Sequence, residues 1–402
     1  MNAFFKLYCR AYQTVFRLAL PVLPYREPRI LGELKDLPLF LQQQKISAVL
    51  LITDKPLRAL DMTRGLENDL SAHGIACAVF DDVVPNPTVQ NVEDCRAAYL
   101  ESGAQAMIAF GGGSVMDCAK AAGARVARPG KPVQKMGGLL KVLRKTPMLI
   151  AVPTTAGTGS ETTLAAVITD PAAHHKYPIN DFVLIPDYAV LDYRVTLGLP
   201  PMITATTGMD AMTHAVEAYI GRSTNALTRA MAEEAVVLIV QYLQRAWRDG
   251  SDAEARAKML RAAYCAGIAF TRSYVGYVHG VAHSLGGRYG VPHGLANAVI
   301  LPYFLEEYGP SCRKKLARLA RKAGLAGGNA SDSAAAQAMI DWIKQANAAM
   351  GIPTSIPEIR KEDIPAMAAY AAKESNPLYP VPKLMDRHEL EAMYLKLMPK
   401  EV

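Results

Sequence analysis

Ala106-Met107-Ile108-Ala109-Phe110-Gly111-Gly112-Gly113-Ser114 decides the fold. A short apolar run bounded by turn residues suits a strand buried on both faces. Val115 to Ala127 then reads as a helix. Working back toward the N-terminus, Ala76 to Phe80 and Ile46 to Thr53 read as two more such strands, separated by helical stretches near 91–102 and 61–73. Before them, the chain after Pro28 looks helical. Working forward, 147–152, 163–169 and 182–191 read as strands, the last two on either side of a polar turn at 170–177. Strand alternating with helix gives βαβ units and a parallel sheet. From Pro200 onward strand signals vanish, and long alanine-rich helical segments follow, with loops at 324–333 and 351–357. Three segments are expected: an apolar and basic extension at 1–27, an α/β domain at 28–197, and an all-α domain at 198–402.

The glycines after Phe110 either make a tight turn or let a backbone approach a pyrophosphate. In the second case the following helix N-terminus offers its free N–H groups to the charge. A second loop, Pro153-Thr154-Thr155-Ala156-Gly157-Thr158-Gly159-Ser160, also follows a strand and adds hydroxyls. Asp54 ends the first strand. It is read either as a helix cap or as the acceptor for two ribose hydroxyls, where it would repel a 2′-phosphate and select NAD over NADP. The acid precedes the glycines here, the reverse of the usual Rossmann order.

Length and composition bound the rest. At 402 residues the chain is too long for one core. A net charge of +7, spread along the sequence, does not imply nucleic acid. Six cysteines without framework spacing read as reduced thiols, hence a cytoplasmic protein. The first 26 residues mix Phe4, Phe5, Leu7, Tyr8, Val15 and Leu18 with Lys6, Arg10, Arg17 and Arg26, and no acid precedes Glu27. Charges interrupt the apolar run, which excludes a transmembrane span. A helix packed on the body or on a partner subunit is expected. An interfacial helix on an anionic membrane and a transit peptide are the alternatives. No membrane partner is expected, residues 1–26 being the one exception the sequence leaves open.

The helical half carries a metal-like constellation. Asp210 and His214 are four apart, as are His279 and His283, and His293 follows after Pro292. Side chains at i and i+4 share one helix face. A carboxylate with imidazoles suits a divalent first-row metal such as iron or zinc. The alternative is a set of ordinary core or surface histidines. Spacing does not choose which of the five residues bind.

The chain resembles the iron-containing (group III) alcohol dehydrogenases. The matching stretches are Val84 to Thr88, Gly111 to Asp117, Pro153 to Glu161, Gly208 to Glu217, His279 to His283 and Pro292 to Gly294. The resemblance implies a Rossmann-like, NAD-binding α/β domain joined to an all-α metal-binding domain, in a dehydroquinate synthase-like fold, with the metal in the cleft. It implies Asp210, His214, His279 and His293 as metal ligands, with His283 beside the nicotinamide as a catalytic group along with Asp210 and His279. It also implies Asp54, Asn86, Gly112, Gly113, Ser114, Asp117, Thr154, Thr155 and Lys176 as cofactor contacts, and Phe270 as a cleft residue. Ala165 stands where some members carry a polar substrate contact, which argues against a diol and leaves room for a larger apolar substrate.

The expected activity is metal-dependent, NAD-linked interconversion of a primary alcohol and its aldehyde. Fe²⁺ is the expected ion and Zn²⁺ the alternative. A homodimer is expected from the family and from symmetry. Two other readings compete. A lyase or cyclase like dehydroquinate synthase would recycle NAD within each turnover, but it uses a glutamate with two histidines. A non-catalytic membrane-associated protein would leave the metal residues idle.

Overall fold

The computed structural model describes residues 1–172 and 175–399. Two compact units emerge from the chain: Pro24–Leu197, and Gly198–Val402 together with Met1–Leu23. The N-terminal helix α1 (Ala3–Ala19) therefore groups with the helical half.

The α/β unit runs β1 (Arg29–Leu31), α2 (Leu37–Gln43), β2 (Ala48–Ile52), α3 (Lys55–Ala59), α4 (Arg64–Ala72), β3 (Ala76–Phe80), α5 (Val89–Glu101), β4 (Ala106–Gly111) and α6 (Gly113–Ala127). It continues with β5 (Gly138–Leu139), β6 (Met148–Pro153), β7 (Ala165–Asp170), β8 (His175–Asn180) and β9 (Tyr188–Val190). Six strands form one parallel sheet in the order β1-β9-β6-β4-β2-β3. Alternate residues feed two cores. Leu50, Ile52, Met107, Ala109, Leu149 and Ala151 enter one, and Val49, Leu51, Ile108, Phe110, Ile150 and Val152 enter the other. Both faces are covered, as a parallel sheet requires.

Three sequence expectations need correction here. The polar turn read at 170–177 is tighter than expected: residues 171–172 are a turn, 173–174 lie outside the described residues, and β8 pairs antiparallel with β7 from Asp170↔His175 to Ala165↔Asn180. In the run read as a strand at 182–191, Phe182–Leu184 is a 3₁₀ turn and only Tyr188–Val190 is extended. The chain after Pro28 also begins with strand β1 before any helix.

The helical unit contains α7 (Pro201–Ile220), α8 (Ala226–Arg248), α9 (Ala253–Ser273), α10 (Tyr277–Tyr289), α11 (His293–Tyr308), α12 (Arg313–Lys322), α13 (Asp332–Ala349), α14 (Ile364–Ser375) and α15 (Arg387–Leu397). Among the described residues no helix is long and apolar enough to cross a membrane. All six cysteines are free thiols.

Candidate metal and cofactor sites

Helix α7 is buried almost continuously from Thr204 to Ile220, yet it carries Asp210, His214 and Glu217. Burying such groups costs free energy unless they are paired or ligate a metal. His279 comes from α10, and His293 is the first residue of α11. One ligand atom from each of Asp210, His214, His279 and His293 lies within 4.8 Å of the others. Ligands of a tetrahedral ion, each at ~2.1 Å, sit roughly 3.4 Å apart. The four donors therefore surround one position, and each would move inward by up to about 1 Å to hold a divalent ion there.

A carboxylate orients the site. His279 Nδ1–H donates to Glu217 Oε2 at 2.6 Å, which leaves Nε2 as the lone-pair nitrogen on the cluster side. Glu217 also accepts from the backbone N–H groups of Gly276 (2.8 Å) and Val278 (3.0 Å), at the N-terminus of α10. One side chain of α7 thus caps α10 and fixes its ligand. Burial pushes Glu217 up to about 8, against the pull of the backbone N–H groups of Gly276, Val278 and His279. Burial, then the neighbouring charges of His214, His293 and His283, holds His279 well below the ordinary imidazole range, so the ring is neutral, as a ligand must be.

Packing completes the arrangement. His214 stacks on Phe270 at 4.0 Å between ring centroids, and on His279 at 4.6 Å. The fully buried Asn297 donates its amide to Asp210 Oδ1 at 2.6 Å, and the same nitrogen lies 3.2 Å from His279 Nε2 and 3.1 Å from His293 Nε2. Gly294 lets α11 lie against α7, because a Cβ there would come 2.7 Å from the Thr206 carbonyl oxygen.

His283 stands beside the cluster and outside it. Its ring stacks on His293 at 5.3 Å. Its Nδ1–H donates to Glu374 Oε1 at 2.6 Å, and the Tyr379 hydroxyl donates to the same oxygen at 2.6 Å. Burial raises the Glu374 carboxyl, but the charge and hydrogen bond of His283 and the Tyr379 hydroxyl outweigh it, and the carboxyl falls below its ordinary value. Sequence reasoning had assigned no role to Glu217, Asn297, Gly294 or Glu374. Glu217 lies seven residues after Asp210 and Asn297 four after His293, so helical spacing was the available signal.

In the α/β unit, β2 and β4 are neighbours and their following connections run to opposite sides, to β3 and to β6. Such a switch point is where open α/β sheets bind ligands. Asp54 follows β2, Gly112 and Gly113 follow β4, and Thr154 and Thr155 follow β6, so all five share the carboxyl edge of three adjacent strands. Added Cβ atoms would come 3.4 Å from Thr155 Oγ1 at Gly112 and 3.1 Å from Thr158 Cγ2 at Gly113, so the glycines let the two loops abut. Nearby, the Asn86 N–H donates to Ser114 Oγ (3.3 Å), and Lys176 Nζ donates to Asn86 Oδ1 (2.8 Å).

Two acids serve the loops structurally. Asp54 caps α3, accepting from the Leu57 N–H at 2.9 Å. Asp117 accepts from Ser160 Oγ (3.1 Å) and from the Val167 N–H (3.1 Å). Beneath them the buried Lys120 on α6 donates to Ser160 O (2.6 Å), Ser160 Oγ (3.0 Å), Thr163 Oγ1 (2.7 Å) and Ala165 O (3.0 Å). Burial lowers it to about 8. Glu161, also buried, reaches no donor on another described residue, and burial raises it to about 7.

A parallel α/β unit with glycine loops at its carboxyl edge, and a helical unit converging one carboxylate and three imidazoles, are the parts of a metal-dependent dehydrogenase. The chain belongs to the iron-containing alcohol dehydrogenase family. Residues 30–193 match the model described as iron-containing alcohol dehydrogenase, and 204–398 match the C-terminal model of the Fe-containing alcohol dehydrogenase family. The chain is 37% identical over 352 residues to 1,3-propanediol dehydrogenase of Klebsiella pneumoniae, which covers 86% of this chain and 90% of that protein. It superposes on a crystal structure of 1,3-propanediol oxidoreductase with a TM-score of 0.89, at 34% identity, over 93% of this chain and 99% of that one. The sulfoacetaldehyde reductase of Bifidobacterium kashiwanohense, solved with NAD⁺, matches with a TM-score of 0.84 at 27% identity, over 94% and 99% of the two chains.

Proposed function

We propose that the protein is a metal-dependent, NAD-linked dehydrogenase that interconverts a primary alcohol and its aldehyde. The convergence of Asp210, His214, His279 and His293, with His279 oriented by Glu217, carries this reading. Those four residues would hold the ion, with Fe²⁺ the assigned metal and Zn²⁺ the alternative the donor set also accepts. The ion supplies Lewis acidity, lowering the pKa of a substrate hydroxyl. NAD supplies the hydride acceptor. Its contacts are assigned to Asp54, Asn86, Gly112, Gly113, Ser114, Asp117, Thr154, Thr155 and Lys176. The carboxylate of Asp54 favours NAD over NADP.

His283 is the proton carrier in this scheme. Its Nδ1–H is committed to Glu374, so Nε2 is the nitrogen that takes the hydroxyl proton. Glu374 then stabilises the imidazolium, and Tyr379 keeps the carboxylate in place. The likeness to relatives named for propanediol supports small primary alcohols as the first candidate substrates. A homodimer is the proposed assembly.

The test follows NADH absorbance after chelator-stripped protein is reloaded anaerobically with Fe²⁺ or Zn²⁺ and given a panel of primary, secondary and poly-alcohols. Metal-dependent NADH production, fastest with a primary alcohol, is the expected result. Tight NAD binding with no net NADH from any alcohol would overturn the reading.

A further inference from the structure

We propose that the outward face of α1, with the cationic cluster around Lys315, is a docking surface for an anionic lipid bilayer. One side of α1 is anchored. Cys9, Gln13 and Leu20 are buried, and Asn2 caps the helix by accepting from the Phe5 N–H at 2.8 Å. Gln13 donates to the carbonyl of Tyr379 (2.8 Å), and Arg10 to those of Val381 (2.7 Å) and Pro382 (2.9 Å). Phe16 meets the Tyr274 ring edge-on.

The other side is apolar and uncovered. Phe4 is 82% exposed, Leu7 68%, Val15 68% and Leu18 69%, and Phe5, Tyr8 and Tyr12 are exposed beside them. Scattered exposed apolar residues are ordinary, but this many on one short helix marks a contact surface. Lys6 and Arg17 share one flank of this helix, next to Leu7 and Leu18, and α1 contains no acid.

A second cationic element adjoins it. Helix α12 reads Arg313-Lys314-Lys315-Leu316-Ala317-Arg318-Leu319-Ala320-Arg321-Lys322, six cations and no acid. It docks on the same seam as α1. Lys315 donates to the carbonyls of Ile220 and Gly221, and the Arg222 N–H donates to Pro380 O at 2.7 Å, within the segment that holds Arg10 and Gln13. The charges of Arg17, Arg222, Arg229 and Arg318 all bear on Lys315. Asp332 pairs with Arg321, and Glu233 lies 4.0 Å from Lys322. Among the described residues Lys6, Arg17, Arg222, Arg229, Arg313, Lys314 and Arg318 make no ion pair. An amphipathic helix with aromatic and leucine side chains outward, beside unneutralised cations, matches the chemistry of an anionic interface. A second copy of α1 fits worse, because its cations would meet like charges.

The experiment is flotation of the full-length, metal-loaded chain with phosphatidylcholine vesicles, with and without phosphatidylglycerol, at low and high salt. The chain is expected to float only with the anionic vesicles, and less at high salt. Each cation near such a surface strengthens binding about fivefold, so R17A/R318A should weaken it about 25-fold. L7E/L18E should abolish it, and both variants should keep the parental thermal midpoint. Failure of the parent chain to float with anionic vesicles overturns the proposal. Undiminished flotation of R17A/R318A does so too, and that variant decides the matter if L7E/L18E misfolds. If light scattering shows L7E/L18E dissociating an oligomer that never bound vesicles, the face is a contact between copies and the lipid reading is wrong.

Discussion

Replacing Glu217 with glutamine tests how the metal centre is held. The carboxylate faces three N–H donors: Gly276 and His279 on Oε2, and Val278 on Oε1. A glutamine has a single acceptor oxygen. Placed at the Oε2 position, it keeps two donors but turns its own NH₂ against the Val278 N–H. Two buried donors then face each other, the Val278 N–H without its acceptor at a cost of about 1–3 kcal/mol. In the opposite orientation the NH₂ meets His279 Nδ1, which favours the tautomer with its proton on Nε2, the nitrogen that faces the cluster. Either way the imidazole loses its carboxyl partner, and loss of such an orienting group weakens metal binding about 10–100-fold. The assay is competition for Zn²⁺, and anaerobically for Fe²⁺, against a chromogenic chelator, with the thermal midpoint read on the same samples. A Gln variant that melts like the parent and holds both ions as tightly would falsify the assignment of Glu217 as the orienting carboxylate.

Three further outcomes are expected. The Glu161 carboxyl is raised from 4.5 to about 7, so the folded chain holds more protons than the unfolded chain across that window, and its stability falls as pH rises through it. The loss reaches at most about 3 kcal/mol, and E161Q should flatten it; urea midpoints at pH 5 and pH 8 that differ as much in E161Q as in the parent refute this. H283A should lower turnover about 10²–10⁴-fold with metal content unchanged by elemental analysis; a matching fall in bound metal would move His283 into the ligand set. G294A brings a methyl against the Thr206 carbonyl and should push α11 from α7, at about 1–3 kcal/mol, with weaker ion binding through His293. An unchanged thermal midpoint would show that the helices yield without strain.

The sheet was legible in the sequence because its central strands are buried on both faces and read as unbroken apolar runs. Ala76–Phe80 has the bounds its composition suggested. Strand β8 was not legible: Lys176 and Pro178 look like turn residues, and only pairing with β7 makes them extended. Strand β1, at three residues, is too short to show a period. Among the site residues, helical spacing exposed Asp210 with His214, and His279 with His283. The orienting groups were hidden for a different reason. Glu217 acts on a ring 62 positions later in the chain and Glu374 on one 91 positions earlier, so their roles exist only once separate helices meet.

Lys120 bears on how the α/β unit responds to a ligand. Its ammonium joins α6, which opens at the first glycine loop, to Ser160 at the end of the second and to Thr163 and Ala165 beyond it. That tether restrains the two loops relative to each other. A dinucleotide lying across them would meet a surface already in place, so little conformational freedom remains to be lost on binding. Cutting the tether would leave each contact chemically intact while making the loops separately mobile, and the weakening would appear as a larger entropic penalty at nearly constant binding enthalpy.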